Sequence, residues 1–358
     1  MWLLYFLIGS FCFFFTALYK QSQSNLNRQL NKTIVKTKHF TVFIIGFICI
    51  TVSSLRFPHE GTDTYSYMLL FQAIEKTNDL FSFNNEPGFL LFTKICSVFT
   101  SNFICYLFVV NTFLWISLYN FVCKYSSNVR YSLWLFLFLG YLDSSMCLIR
   151  QYLALAVLLY SYKYILKRNF IKFLLIVLIA STFHTTAIIF IISYFLIKIN
   201  LKKNPIIIYT IICVITFVLT DFFYSLLDLI PLYKSYLTNS TFGVQDNIKL
   251  APVLNFLILY IIIVFIIKHA NNSIATLIIV GSLFTIFSFK FTQIGRITTY
   301  FSIYSIILLP NALNVIYDKR KKLFYTSFFF LLFLLRYIII AYFRPEWTGV
   351  YPYKLNLL

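Results

Sequence analysis

Apolar stretches dominate this chain and fall roughly at 2–19, 40–55, 103–123, 131–148, 151–166, 171–183, 185–198, 205–221, 252–268, 274–292, 297–317 and 323–343. Period-two alternation is absent, so the pattern predicts helices. In hydrocarbon only helices or closed barrels satisfy the backbone. The expected fold is an all-α polytopic membrane bundle of about 10–12 transmembrane helices, forming a single transmembrane domain over residues 1–358. Its outer loops, 56–102 and 222–251, are expected to flank any site.

Three regions depart from a simple hairpin array. Segment 87–100 follows Glu86-Pro87-Gly88 and is apolar, but it falls short of the roughly 20 residues a span requires. A re-entrant or interfacial helix fits it. Residues 171–198 could form one long helix or two halves that turn at Phe183-His184-Thr185-Thr186. Only the split reading keeps Lys198, Lys202 and Lys203 with the other basic loops. Half-length helices need protein or a water-filled cavity around them, so a polar cavity is expected between about 87 and 200. Loop 222–251 is long enough to act as a lid, and it contains the weak glycosylation sequon Asn239-Ser240-Thr241.

Composition agrees with the pattern. The 358 residues are 60% hydrophobic, 21% aromatic and 11% charged, whereas soluble domains carry about 25% charge. Lys and Arg collect in loops at 20–38, 124–130, 163–172, 198–203, 268 and 319–322, and such loops face the cytoplasm. That assignment places Glu60, Asp63, Glu75, Asp79, Glu86, Asp143, Asp221, Asp228, Asp246 and Glu346 on the outer half, and Asp318 inside. Acidic residues contribute little to orienting spans. Their segregation therefore points to polar work outside.

The net charge of +19 is accounted for by topology and anionic lipid headgroups, so no nucleic-acid partner is expected. The first apolar stretch, from Trp2, lacks a basic leader and a small-residue cleavage site, and reads as a retained span. With an even number of spans, both termini would lie outside. The seven cysteines form no CxxC pair and the four histidines no i, i+4 pair, so neither a disulfide framework nor a metal site is indicated. No cofactor is expected.

The candidate chemistry lies in a few polar groups. Arg56 ends the second apolar stretch and is followed by Glu60, Asp63, Tyr65 and then Glu86. Activating a hydroxyl nucleophile requires a carboxylate or a histidine within hydrogen-bond reach. The bland alternative is a solvated loop. Arg150-Gln151 and Gly295-Arg296 stand at the starts of apolar stretches, where the helix dipole and free N–H groups already favour anions. Two guanidiniums there suit a diphosphate, although snorkelling would explain either one alone. His184 interrupts an apolar run, and ionisable groups within membranes are functional hypotheses by default. Lys290 and Arg336 are close enough to span ends to snorkel, and Glu346-Trp347 and Tyr351-Pro352-Tyr353 read as interfacial anchors.

Taken in order, Arg56 with Gly61-Thr62-Asp63-Thr64-Tyr65, Glu86-Pro87-Gly88-Phe89, Arg150-Gln151-Tyr152-Leu153-Ala154, Phe183-His184, Arg296 with Tyr300, and Pro352-Tyr353 cover nearly the whole chain. This series resembles the EpsG family of Wzy-like bacterial polysaccharide polymerases. The resemblance implies a GT-C-like membrane glycosyltransferase of the bacterial cytoplasmic membrane. Such an enzyme joins oligosaccharide repeat units carried on undecaprenyl pyrophosphate at the outer face, without a metal and with inversion, for capsule, exopolysaccharide or O-antigen synthesis. Its partners would be the lipid-linked donor and acceptor, membrane lipids, and the flippase and chain-length regulator of the same pathway. A large soluble outer loop between late spans, found in larger O-antigen polymerases, is missing here.

Together these readings give one hypothesis. Arg56, Arg150 and Arg296 would hold the pyrophosphate, one of Asp63, Glu86 or His184 would act as base, and Glu60, Tyr65, Gln151 and Tyr300 would support them. The competing classes are a lipid-linked oligosaccharide flippase or transporter, a monosaccharide transferase using a polyprenyl-phosphate sugar, and a sugar O-acetyltransferase. No internal repeat supports the transporter, and the outer placement of the polar residues disfavours an inner acyl-donor site.

Overall fold

A computed structural model describes residues 42–77, 79–80, 82–197, 204–229, 247–270, 274–351 and 353–354. The first expected span, its basic loop 20–38, the 198–203 loop, the sequon, most of the expected lid and Pro352 lie outside the described residues. Among the described residues every regular element is helical. The chain is an all-α polytopic membrane protein.

Helices Phe103–Tyr125, Leu250–Ala270 and Lys319–Phe343 are long and apolar enough to cross a bilayer by themselves, and Pro205–Val218 with Thr220–Leu226 adds a pair bent by 54°. The other expected spans are shorter apolar helices, among them Val42–Ser54, Val129–Phe138, Phe170–Phe183, Ala275–Phe287 and Ser305–Val315. Small and polar residues mark the interruptions: Gly140, with φ at 79°, separates Val129–Phe138 from Tyr141–Cys147, and His184 caps Phe170–Phe183 in an extended conformation. The residues expected to open the outer loop at 222 instead belong to a helix, Thr220–Asp228. Phe47, Val98, Phe99, Ile171, Val218, Phe324 and Leu331 are strongly exposed. Such apolar exposure is a liability in water and is expected of side chains facing lipid.

The chain forms two compact units, the described residues of Met1–Thr185 with Leu323–Leu358, and Thr186–Lys322. The first contains α1 (Val42–Ser54), α2 (Thr64–Lys76), α3 (Pro87–Phe99), α4 (Phe103–Tyr125), α5 (Val129–Phe138), α6 (Tyr141–Cys147), α7 (Ile149–Leu158) and α8 (Phe170–Phe183). On α2, Tyr67, Phe71 and Ile74 recur at helical spacing and are buried. Tyr67 and Phe71 join Phe89 and Cys96 of α3, Phe103, Tyr106 and Val110 of α4, and Ile149 and Leu153 of α7 in one core cluster. The cluster makes a rigid base, since packed interiors resist small displacements.

α3 has 13 residues, about 20 Å at 1.5 Å per residue, and so cannot span by itself. Its start is pressed against the end of α8. A Cβ at Gly88 would overlap the Thr182 side chain and come within 2.9 Å of the Thr182 backbone. Only glycine allows this approach.

The second unit is organised around Ala275–Phe287, which packs on Pro205–Val218, Leu250–Ala270 and Gly295–Ser302. Two polar pairs lie within it: Tyr209 donates to Ser282 at 2.9 Å, and Lys290 donates to Asp221 at 2.7 Å. Lys290 is therefore ion-paired.

Candidate functional site

Glu86 is the residue just before α3, in an extended conformation, with no side-chain cap bond to its own helix. Its carboxylate is thereby available to other elements. Arg150, in the first turn of α7, donates from Nη1 to Glu86 Oε2 at 2.7 Å. His184, the residue that ends α8, places Nδ1 2.9 Å from Oε1, and the Thr185 backbone N–H donates to the same oxygen at 3.3 Å. Three elements thus meet on one carboxylate that is 8% exposed.

Each polar member of this group sits beside an apolar anchor of the core cluster: Ile149 precedes Arg150, Phe183 precedes His184, and Phe89 follows Glu86 by less than a turn. Apolar burial holds the backbone, and the polar tips project from its edge. Tyr67 completes the arrangement. Its hydroxyl accepts from Arg150 Nε at 3.4 Å, and its ring lies under the guanidinium with 5.9 Å to the centroid.

Burial raises the energy of the ionised Glu86, but the His184 hydrogen bond and the Arg150 charge outweigh it and pull the carboxyl from its usual 4.5 to about 2. An ionised carboxylate only accepts, so Nδ1 of His184 must carry the proton. The Nε2 lone pair is then left for other work, because one ring nitrogen's bond fixes the tautomer of the other. Among the described residues, no hydrogen bond engages Nε2 of His184 or Nη2 of Arg150.

Arg56 goes elsewhere. It is 1% exposed, and its guanidinium donates to the Met146 carbonyl at 2.8 Å, to Thr64 Oγ1 at 3.3 Å and to the Ser53 carbonyl. Burial pulls it down to about 10, which leaves it charged at neutral pH. Its donors join the end of α1, the start of α2 and the end of α6. Asp63 precedes α2 without a side-chain cap bond, and its charge reaches the Tyr67 hydroxyl and the Cys147 thiol. Glu60 is 9% exposed, and burial raises its pKa against the opposing pull of Lys354. Tyr65 is exposed and stacks on His59 at 4.4 Å.

Gln151 is buried, next to Arg150 on α7. Arg296 and Tyr300 belong to the second unit. Arg296 lies in the first turn of Gly295–Ser302, and Tyr300 is fully buried with its hydroxyl 3.2 Å from Thr186 Oγ1. The structure thus brings Glu86, Arg150 and His184 together and leaves Arg56 in a separate buried network.

Tyr67 was not among the expected site residues, although its spacing with Phe71 and Ile74 marks it as inward-facing. The C-terminal residues, expected to be interfacial anchors, form a strap. Tyr351 donates to both Asp143 oxygens at 3.1 Å, and Gly61 N–H donates to the Gly349 carbonyl at 2.7 Å. Cys147 Sγ donates to the Thr348 carbonyl at 3.0 Å, and Phe57 N–H to the Lys354 carbonyl at 2.9 Å. Burial and the Asp143 carboxylate raise the Tyr351 pKa far above its usual value, so this phenol stays a donor. α6 and α7 share Leu148 as their joint. Bracing α6 therefore braces the start of α7, where Arg150 sits. Arg336, expected to snorkel, donates to the Phe138 carbonyl at 3.2 Å, beside Gly140. Among the described residues no group of three His, Cys, Asp or Glu side chains is placed to hold a metal ion.

Comparison with known proteins gives one family. No curated protein and no solved structure matches the chain significantly. The EpsG family model matches residues 39–355, a stretch that includes every group at this site. The chain belongs to the EpsG family.

Proposed function

We propose that this chain is a polysaccharide polymerase that transfers an oligosaccharide repeat unit from a lipid pyrophosphate to the hydroxyl of a second repeat unit. The observation that carries the reading is the Arg150–Glu86–His184 arrangement, in which one carboxylate is bonded both to an imidazole and to a half-buried guanidinium. Family membership suggests exopolysaccharide synthesis, and the arrangement supplies chemistry suited to it.

In the proposed reaction, His184 Nε2 takes the proton from the acceptor hydroxyl, whose oxygen attacks the anomeric carbon. The bond from that carbon to the pyrophosphate oxygen breaks, its electron pair stays on the leaving lipid pyrophosphate, and the new glycosidic bond forms with inversion. Glu86 holds Nδ1–H and stabilises the imidazolium, as a buried carboxylate does in a hydrolase triad. Arg150, at a helix N-terminus with Nη2 available, faces the charge that grows on the leaving phosphate. We assign the base to His184 rather than Glu86, because a carboxyl held near 2 is a poor proton acceptor at neutral pH. Asp63 keeps a supporting position. Arg56 acts as scaffold, and Arg296, at a helix start in the second unit, has no part in the proposed step.

The site would face the outside of the bacterial cytoplasmic membrane, where the acidic loops were assigned. The substrates would be undecaprenyl-pyrophosphate-linked repeat units. A carboxylate-oriented imidazole supplies a base for a hydroxyl nucleophile, which is the ground for preferring bond formation to translocation. The test is reconstitution of the full chain in liposomes with defined lipid-linked repeat units. A ladder of polymer supports the reading. Translocation without new bonds indicates a flippase, and extension by single sugars indicates a monosaccharide transferase; either result refutes it.

A further inference from the structure

The segment from Phe57 to Tyr65 carries a run of rings that the proposed chemistry does not use. Phe57 is 38% exposed and lies 5.4 Å from His59, and His59 stacks on Tyr65, 41% exposed, with ring planes 18° apart. Local geometry builds this run. At about 100° per residue, Tyr65 points roughly 200° away from Tyr67, so the helix that turns Tyr67 toward Arg150 turns Tyr65 outward. Gly61, with φ at 90° and its N–H held by the Gly349 carbonyl, folds the loop back so that His59 reaches Tyr65.

The charge around the rings narrows the ligand. From Phe57 to Glu75 there is no Lys or Arg, but there are three carboxylates, Glu60, Asp63 and Glu75. Contact with anionic lipid headgroups favours clustered Lys and Arg near the rings; here the charges are mixed, with Asp63 in the loop and Glu60 facing the charge of Lys354. A pyranose fits both features. One face of the sugar presents C–H groups that are slightly positive and match the negative face of an aromatic ring. Its hydroxyls, at the rim, donate to carboxylates and to Thr62, which is exposed here.

We propose that Phe57, His59 and Tyr65 form a sugar-stacking subsite for the oligosaccharide, carried by the same loop and helix that present Tyr67 to Arg150. The identity of that oligosaccharide rests on the polymerase reading. The subsite would hold a sugar of the repeat unit one or more residues from the reacting carbon, so its loss should weaken glycan binding and leave the chemistry intact.

The test uses the full chain in nanodiscs of neutral lipid. Binding of the lipid-free repeat-unit oligosaccharide, released from the polysaccharide of cells carrying this chain, is read by saturation-transfer NMR; polymerisation is read separately with the lipid-linked unit. Tyr65→Ala should weaken binding and raise KM by about tenfold, the value of one stacked ring, with kcat little changed. Tyr65→Trp should bind as wild type does. Phe57→Ala, at an exposed position, provides a second variant should Tyr65→Ala fail to fold. His184→Ala should lose turnover and keep the oligosaccharide. Wild-type binding in both ring variants overturns the subsite, as does a wild-type chain that binds no oligosaccharide. A chain that binds through these rings but makes no polymer refutes the polymerase reading and leaves the subsite standing.

Discussion

Replacing Glu86 by glutamine keeps the shape of the side chain and removes its charge, and two consequences follow from the geometry. The first concerns the tautomer. An amide can turn its NH2 toward Nδ1 of His184, which favours the form with the proton on Nε2, the nitrogen that must accept. The equivalent change in a hydrolase triad costs about 10⁴-fold in kcat, so Glu86→Gln should lower kcat by about 10³–10⁴-fold with KM little moved. The second consequence concerns Arg150. Its side chain is 28% exposed, between a surface pair worth about 0–1 kcal/mol and a buried pair whose disruption costs about 3–5, so about 1–3 kcal/mol of stability should be lost.

The pH dependence follows from the same group. A carboxyl whose pKa is depressed on folding stabilises the fold above its unfolded value and loses that contribution as protons bind the folded form. For Glu86 the contribution is complete above the usual 4.5 and fades as pH falls toward about 2. At 1.36 kcal/mol per unit the wild type should lose about 3 kcal/mol across that window, and Glu86→Gln should not show this loss. Turnover of lipid-linked repeat units and thermal unfolding in detergent between pH 2 and 7 measure both effects. A Glu86→Gln protein with near-wild-type kcat would refute the orienting role. So would a His184→Ala, Glu86→Gln double variant far slower than His184→Ala alone, since members of one unit are not additive.

Three further outcomes are expected. Gly88→Ala forces α3 away from Thr182 and should separate Glu86 from His184, so kcat should fall by at least about tenfold with at most about 2 kcal/mol lost in unfolding experiments. Arg56→Lys keeps the charge but cannot reach Ser53, Thr64 and Met146 together; about 2–4 kcal/mol of stability should be lost in denaturant titrations, while substrate KM among folded molecules stays near wild type. Tyr351→Phe deprives the buried Asp143 carboxylate of its phenol donor, which should lower stability by about 1–3 kcal/mol and loosen the strap, read as faster amide exchange over residues 345–351.

Much of this protein was legible along the chain. Apolar length and composition fixed the helical membrane class, because hydrocarbon leaves the backbone no other economical way to pair its N–H and C=O groups. The shortness of 87–100 and the break at Phe183-His184 could also be read, since helix length and interruption are local properties. The order of short motifs matched the family found across residues 39–355. Partnership was different. Glu86, Arg150 and His184 were candidates individually, but 64 positions separate Arg150 from Glu86 and 98 separate His184 from it. No periodicity encodes a contact at that range; it depends on Gly88 admitting Thr182, and on the core cluster that fixes α2, α3, α4 and α7.

Arg56 shows the same limit from the other side. A guanidinium at the end of an apolar stretch reads identically whether it meets a phosphate or a backbone carbonyl, and only the fold directed it to Met146. Tyr351 looked like an interfacial anchor until the chain's return brought it 208 positions back to Asp143. Solvent preference is a property of each residue and is written in the sequence, whereas the polar partner a buried charge finds is a property of the packed whole.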